Sequence, residues 1–191
     1  IGALAAGAGL IGAGLGFGAQ ALIRDLISGL FIVFEDQYGV GDNVNLGEVS
    51  GLVEAVGLRA TQLRDDNGVL WYVRNGEIVK VGNQSQGWSR AIVDIALLPD
   101  ADWLKAKSVL ESAVAEFSKN KAVEANLIGQ ASVWGIHALN GDQTVLRVVQ
   151  QTKANTSDEV SRELRALVKQ TLDNAKIALA PERASVLINK K

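Results

Sequence analysis

The sequence predicts an α+β membrane protein: one long apolar helix, a small β domain, and a ferredoxin-like αβ domain ending in a C-terminal strand. Three observations lead there. Residues 1–23 carry no charge, and Gln20 is their only polar side chain; about 20 such residues span the hydrocarbon core of a bilayer. Residues 35–90 hold short apolar runs punctuated by glycines and by Asp-Asn-Gly and Asn-Gly turns, a β-rich pattern. From residue 91 onward, strand-like alternation and helical periodicity follow one another in the order β-α-β-β-α-β, which is a ferredoxin-like layout.

The apolar segment is an unusual one. Its 23 residues include seven glycines and seven alanines, although each glycine costs a helix about 1 kcal/mol relative to alanine. Small residues at this density suit helices whose backbones approach closely in a membrane. At 100° per residue Leu4, Ile11, Leu15 and Leu22 share one face, while Leu10 and Phe17 lie nearly opposite. Ala3, Ala6, Ala13 and Ala21 flank the Leu10/Phe17 stripe, and Gly2, Gly9, Gly12 and Gly16 fall on the adjacent flank. This arrangement suits a ring of identical helices, alanine ridge against glycine groove, with Leu10 and Phe17 at the axis. It equally suits a two-helix contact through Gly12-x-x-x-Gly16 or Gly14-x-x-x-Gly18. Arg24 and Asp25 end the run. Residues 26–34 form a second apolar stretch, too short to span, with Ser28 and Gly29 inviting a bend; an interfacial helix is expected there.

In the β region, Asp66-Asn67-Gly68 separates two strand-like runs as a hairpin, and Asn75-Gly76 is a second turn signal before residues 78–81. The acidic and amide groups of these turns read as turn chemistry, because they lack the ligand count of a calcium loop. In the αβ region a strand is expected at 91–98. A helix follows over roughly 102–118, with Leu104, Val109, Leu110 and Val114 inward. A hairpin turns at Asn140-Gly141. A second helix is opened by a Thr156-x-x-Glu159 capping box, runs to about residue 178 and is stopped by Pro181. Its inward side is Val160, Leu164, Leu167, Val168 and Leu172. A last strand is expected at 184–188.

Composition narrows the function classes. Net charge is −2, so no broad basic field points to nucleic acid. The absence of cysteine excludes disulfides, thiolate metal sites and a cysteine nucleophile. The chain opens on Ile1 and lacks methionine, as expected of the later part of a longer protein. His137 is the only histidine and falls in a strand pattern, so a multi-histidine metal site is excluded. Gly12, Gly14 and Gly16 share dinucleotide-loop spacing but lack the preceding strand and the ribose-binding acid. Trp71, Trp88, Trp103 and Trp134 read as packing residues. No enzyme signature, cofactor or metal is expected.

The run from Gly14 through Gln20, Arg24, Asp25, Gly29, Glu35, Asp36 and Gln37 to Gly41-Asp42 resembles the small-conductance mechanosensitive channel (MscS) family. The match continues through Gly51, Val53, Arg59, Asp66-Asn67-Gly68, Asn75-Gly76, Asn83 and Ser89-Arg90, and a C-terminal β segment follows Pro181. The resemblance implies a homoheptamer in the cell membrane, multi-pass in the full-length protein. Its parts would be a pore helix with an interfacial second half (1–34), a β domain (35–90), an αβ domain (91–180) and a C-terminal barrel strand (181–191). The soluble parts would form a cytoplasmic cage, and the partners would be membrane lipids, like subunits and the permeating ions and small solutes. The implied function is a tension-gated channel that acts on hypo-osmotic shock. Amino-acid efflux of the glutamate type and a non-conducting oligomeric scaffold are the alternatives. The positions matching the family's pore seal are Ala13 and Phe17, to which the helical-face reading adds Leu10. Gly9, Gly12, Gly14, Gly16 and Ala6 would pack neighbouring helices. Gln20, Ala21 and Gly29 match the kink positions, with alanine at 21 where the family has glycine. Arg74 stands where a proline is common, which would place a charge on the cage wall.

Overall fold

The computed structural model describes residues 2–181, without the side chains of residues 3–6, 8, 10 and 11. The chain divides into two compact units between Gln86 and Gly87.

The first unit opens with α1, Gly2–Phe34, an unbroken helix of 33 residues. The stretch 26–34 therefore continues the first helix and is not a separate one. One stripe of its lower half is turned inward at i, i+4 and i+7: Asp25, Gly29 and Ile32 are buried, while Ile23, Leu26, Ile27, Leu30, Phe31, Val33 and Phe34 face outward. The helix ends where Asp36 enters the left-handed region (φ 52°). There Asp36 N–H donates to Val33 O at 3.3 Å and Gln37 N–H to Ile32 O at 3.1 Å, the paired closure of a Schellman motif.

Five antiparallel strands follow: β1 (Asn43–Asn45), β2 (Ser50–Val56), β3 (Ala60–Arg64), β4 (Leu70–Arg74) and β5 (Gly82–Asn83), in the order β4-β3-β2-β1-β5. Alternation on β2 and β3 sends Val53 and Leu63 into a core shared with Ile32, Tyr38, Val44 and Leu46. The β3–β4 turn is closed by Asp65, whose carboxylate accepts from Asn67 N–H, Val69 N–H and the Trp71 indole N–H, each at 2.9 Å. The Trp71 and backbone donors hold this carboxyl below its ordinary pKa. The Asn75-Gly76 turn is a single 3-10 turn, Asn75–Glu77. Residues 78–81 form no strand, and the short edge strand lies just beyond them.

The second unit holds β6 (Trp88–Leu97), α2 (Trp103–Phe117), β7 (Leu127–Asn140), β8 (Gln143–Lys153) and α3 (Ser157–Asn174), with sheet order β6-β8-β7. Both helices pack against the sheet around Val93, Ile95, Leu110, Val114, Leu146, Val148, Leu164 and Leu172. Five elements of the expected six thus follow in order. The last, at 184–188, lies outside the described residues, as does the barrel-strand assignment beyond Pro181. After α3 the chain returns to the free edge of β6, where Ala180 N–H donates to Ala96 O at 2.8 Å.

Four local expectations are corrected. Leu104 is 61% exposed, because the buried stripe of α2 is Ala106, Leu110, Val114 and Phe117; Val109 is half-buried. The capping box does not form. The Thr156 hydroxyl donates backward to Lys153 O at 2.8 Å, and Glu159 accepts from Asn126 Nδ2 at 3.0 Å. Helix α3 ends at Asn174, ahead of Pro181, because Lys176 turns left-handed (φ 56°) and Ile177 N–H closes onto Leu172 O at 3.0 Å. The four tryptophans are not core residues, since each is at least 36% exposed.

Candidate functional site

The candidate site is α1 together with the polar seat that holds its lower half. Within α1, Gly12–Phe34 is long and apolar enough to cross a membrane. Ala13, Gly16, Phe17 and Gln20, spaced i, i+3, i+4 and i+7, line one shallow groove on a single face. Phe17 is 79% exposed, so nothing among the described residues covers it. The expected packing residues Gly9, Gly12, Gly14 and Gly16 stand in open space, and a Cβ at any of them would meet nothing within 4 Å. Among the described residues, no contact requires glycine at these positions. The side chains of Leu10 and Ala6 lie outside the described residues. Of the kink positions, Gln20 and Ala21 are exposed, and the helix runs unbroken through both and through Gly29.

Gly29 differs from the glycines above it. A Cβ there would lie inside 3.0 Å of the Leu58 carbonyl oxygen and the Asn75 side-chain amide. The helix is that close because a buried polar cluster draws it in. Asn75, wholly buried, donates through Nδ2 to Gly57 O at 2.9 Å and Leu58 O at 3.1 Å. Two carbonyl acceptors fix the amide orientation, so its Oδ1 must accept, and it takes the Thr61 hydroxyl proton at 2.9 Å. A threonine hydroxyl has one proton. The 2.9 Å contact between Tyr38 and Thr61 is therefore made with the Tyr38 phenol as donor. Burial pushes the phenol above its ordinary pKa.

Asp25 completes the seat. It is 4% exposed, and its Oδ1 accepts the Gly76 N–H at 3.0 Å. A Cβ on Gly76 would sit 2.5 Å from that oxygen, so glycine is what lets the amide reach it. Just past the helix, the Asp42 carboxylate accepts from Gly39 N–H at 3.0 Å and Asn83 Nδ2 at 2.9 Å, tying the chain after α1 to β5. Sequence reasoning missed Asp25, Asn75, Thr61 and Tyr38 as a unit. The one signal available was an acid that falls inside a helix between two apolar runs.

A family model for the mechanosensitive ion channel β-domain matches residues 21–86, which include the seat from Asp25 to Asn83. The small-conductance mechanosensitive channel of Caldanaerobacter subterraneus subsp. tengcongensis is 36% identical over 188 residues, 98% of this chain and 66% of that protein. The chain belongs to the MscS family. The moderate conductance mechanosensitive channel YbiO of Escherichia coli is another MscS-type relative, 35% identical over 76% of this chain and 20% of its own length. The chain thus spans at most about two thirds of these relatives, which are named as channels and not as enzymes. Among solved structures, the closed-state crystal structure of Helicobacter pylori MscS has a TM-score of 0.75 at 15% identity, covering 99% of this chain and 74% of that one. Arabidopsis thaliana MSL1, solved by cryo-EM, has a TM-score of 0.65 at 17% identity over 91% of this chain and 64% of that one. At these identities the two structures speak for the MscS fold alone.

Proposed function

We propose that the protein is a mechanosensitive ion channel, opened by membrane tension, that releases ions and small solutes on hypo-osmotic shock. The observation that carries this reading is the division of α1. Its lower half is bonded to the β domain, whereas its upper half presents Phe17 and a series of glycines to no partner among the described residues. In a homoheptamer of the kind the family resemblance implies, the alanine flank of one helix would cover the glycine flank of the next. The face holding Ala13, Phe17 and Gln20 would then meet the axis, with Leu10 above.

Rings of Phe17 and Leu10 would close the pore by expelling water from an apolar constriction. Tension favours the state of larger in-plane area, so it shifts a two-state equilibrium towards the open form. Helices meeting through glycine and alanine interlock little and can slide. The Asp25–Gly76 bond and the Gly29 contact hold the lower helix to the β domain. Bending on opening is accordingly assigned first to Gln20 and Ala21, above the anchor; a hinge at Gly29 would have to break its close contact. The protein would sit in the cell membrane, multi-pass at full length, among lipids and like subunits. Its ferredoxin-like αβ domain would be cytoplasmic, and residues 181–191 would contribute a barrel strand.

Pressure-clamped patch recording of the full-length protein tests this. Wild type is expected to give stretch-activated current, and Phe17→Ser to open at lower tension or to leak. An unchanged threshold in Phe17→Ser removes Phe17 from the gate. Oligomers without conductance would assign the scaffold alternative, and selective passage of amino acids the efflux one.

A further inference from the structure

We propose that the Trp88–Arg90–Trp134 stack on the second unit is a binding site for a small carboxylate solute. Alternation along β6 places Trp88, Arg90, Ile92 and Asp94 on the exposed sheet face, and their neighbours in the core beneath α2 and α3. The Arg90 guanidinium carbon lies 5.0 Å from the centroid of each indole. Two ring faces attract the guanidinium, and its planar fork carries five N–H donors.

That fork is uncompensated. The acid on the same face, Asp94, is committed to Arg147 by two hydrogen bonds of 2.7 Å. Among the described residues no hydrogen bond or ion pair engages Arg90. Beside it lies a cavity of about 250 Å³, lined by Arg90, Ile128, Gln130, Ser132, Trp134 and Gln151 among others. Apart from the guanidinium, its polar groups are neutral amides and a hydroxyl able to donate. One cationic fork with neutral donors around it matches a single carboxylate, which arginine binds through two parallel N–H bonds. A cation would be repelled. The site is shaped by β7, whose register shifts between Ile128 and Ser132 and again between Val133 and Gly135. Ala131 and Val133 pack on the core, so alternation turns Ser132 and Trp134 to the same open face as Arg90.

The inference does not rest on the channel reading, because its test is equilibrium binding. The full-length chain in detergent micelles, labelled with ¹⁵N at the tryptophan indoles, is titrated with sodium propionate. Sodium chloride at equal ionic strength and propionamide serve as controls. The expected result is a saturable shift of the Trp88 and Trp134 indole signals with propionate only, while Trp71 and Trp103 stay still. Arg90→Lys keeps the charge but loses the planar fork, and its affinity should fall roughly tenfold; Arg90→Gln should abolish the shift. Unmoved Trp71 and Trp103 signals verify that each variant is folded, and the wild-type titration alone suffices to decide. Shifts reproduced by chloride, or shared by all four indoles, overturn the proposal. So do shifts that follow protein dilution and not propionate, which would put the carboxylate of a second copy on Arg90.

Discussion

Asn75 illustrates how much one side chain carries in this protein. It is buried, it uses both amide protons on the Gly57 and Leu58 carbonyls, and it accepts from Thr61. Removing it would strand two carbonyls and a hydroxyl away from water. Leaving buried polar groups without partners costs about 1–3 kcal/mol, so Asn75→Ala should lower unfolding stability by at least that much. Denaturant titration of the purified chain checks this, and an unchanged midpoint would show that water replaces the amide. The Asn-Gly pair was legible in the sequence as a turn, and the turn is there. Its role as a seat was not legible, because the partners lie 14 residues away at Thr61 and 51 away at Asp25. Trp88 and Trp134 teach the same point. Composition suggests packing for any tryptophan, yet alternation sets these two on an open face, and the pairing of β6 and β7 on either side of β8 brings both to Arg90.

At the scale of elements, α1 contains two kinds of glycine that the sequence does not distinguish. Gly29 is required by the Leu58 backbone and Asn75, whereas no described residue requires glycine at 12 or 16. Alanine favours an isolated helix by about 1 kcal/mol over glycine, yet Gly29→Ala is expected to destabilise the chain by about 1–3 kcal/mol, since the Leu58 backbone cannot retreat as a side chain would. Thermal unfolding reads the sign directly, and a stabilised Gly29→Ala would mean the helix lifts off its seat at no cost. Gly12→Leu and Gly16→Leu should leave each unit folded but impair gating or assembly of the full-length protein. Normal oligomers with wild-type currents in both would remove the ridge-and-groove packing. The existence and order of the helices and hairpins were legible, since periodicity and Asn-Gly turns are local signals. Helix ends were less so. Both α1 and α3 close on a left-handed residue that is not glycine, Asp36 and Lys176. These turns are stabilised by hydrogen bonds back into the last turn, so no breaker residue marks them. Thr156 and Glu159 have the spacing of a capping box, but Lys153 O and the Asn126 amide, 33 residues away, took the two side chains.

For the whole molecule, charge and burial set a pH window. The Arg147 guanidinium beside Asp94 holds that carboxyl below the usual range, and the donors around Asp65 do the same there. A carboxyl whose folded pKa is depressed contributes stability above its unfolded value, about 3.9, and loses it as pH falls through the folded value. Tyr38 has the opposite sign: its raised pKa contributes stability that is lost as pH climbs past about 10. Stability should therefore be flat near neutrality and fall at both ends. Denaturation across pH should show a shallower acid limb in Asp94→Asn and a shallower alkaline limb in Tyr38→Phe; limbs identical to wild type would separate these groups from the profile.

By itself the sequence determined the membrane-length apolar helix, the run of small residues along it, the β-rich region after it, the alternating helices and strands that follow, and the family resemblance. All of these are written in local composition and spacing, which act within a few residues of where they are read. Only the tertiary structure decided that Asp25, Gly29, Tyr38, Thr61, Asn75 and Gly76 form one seat, that the upper glycines meet nothing among the described residues, and that Arg90 lies over two indoles. Those facts depend on pairings between distant segments, where a hydrogen bond or a missing Cβ has meaning only once the other segment has arrived.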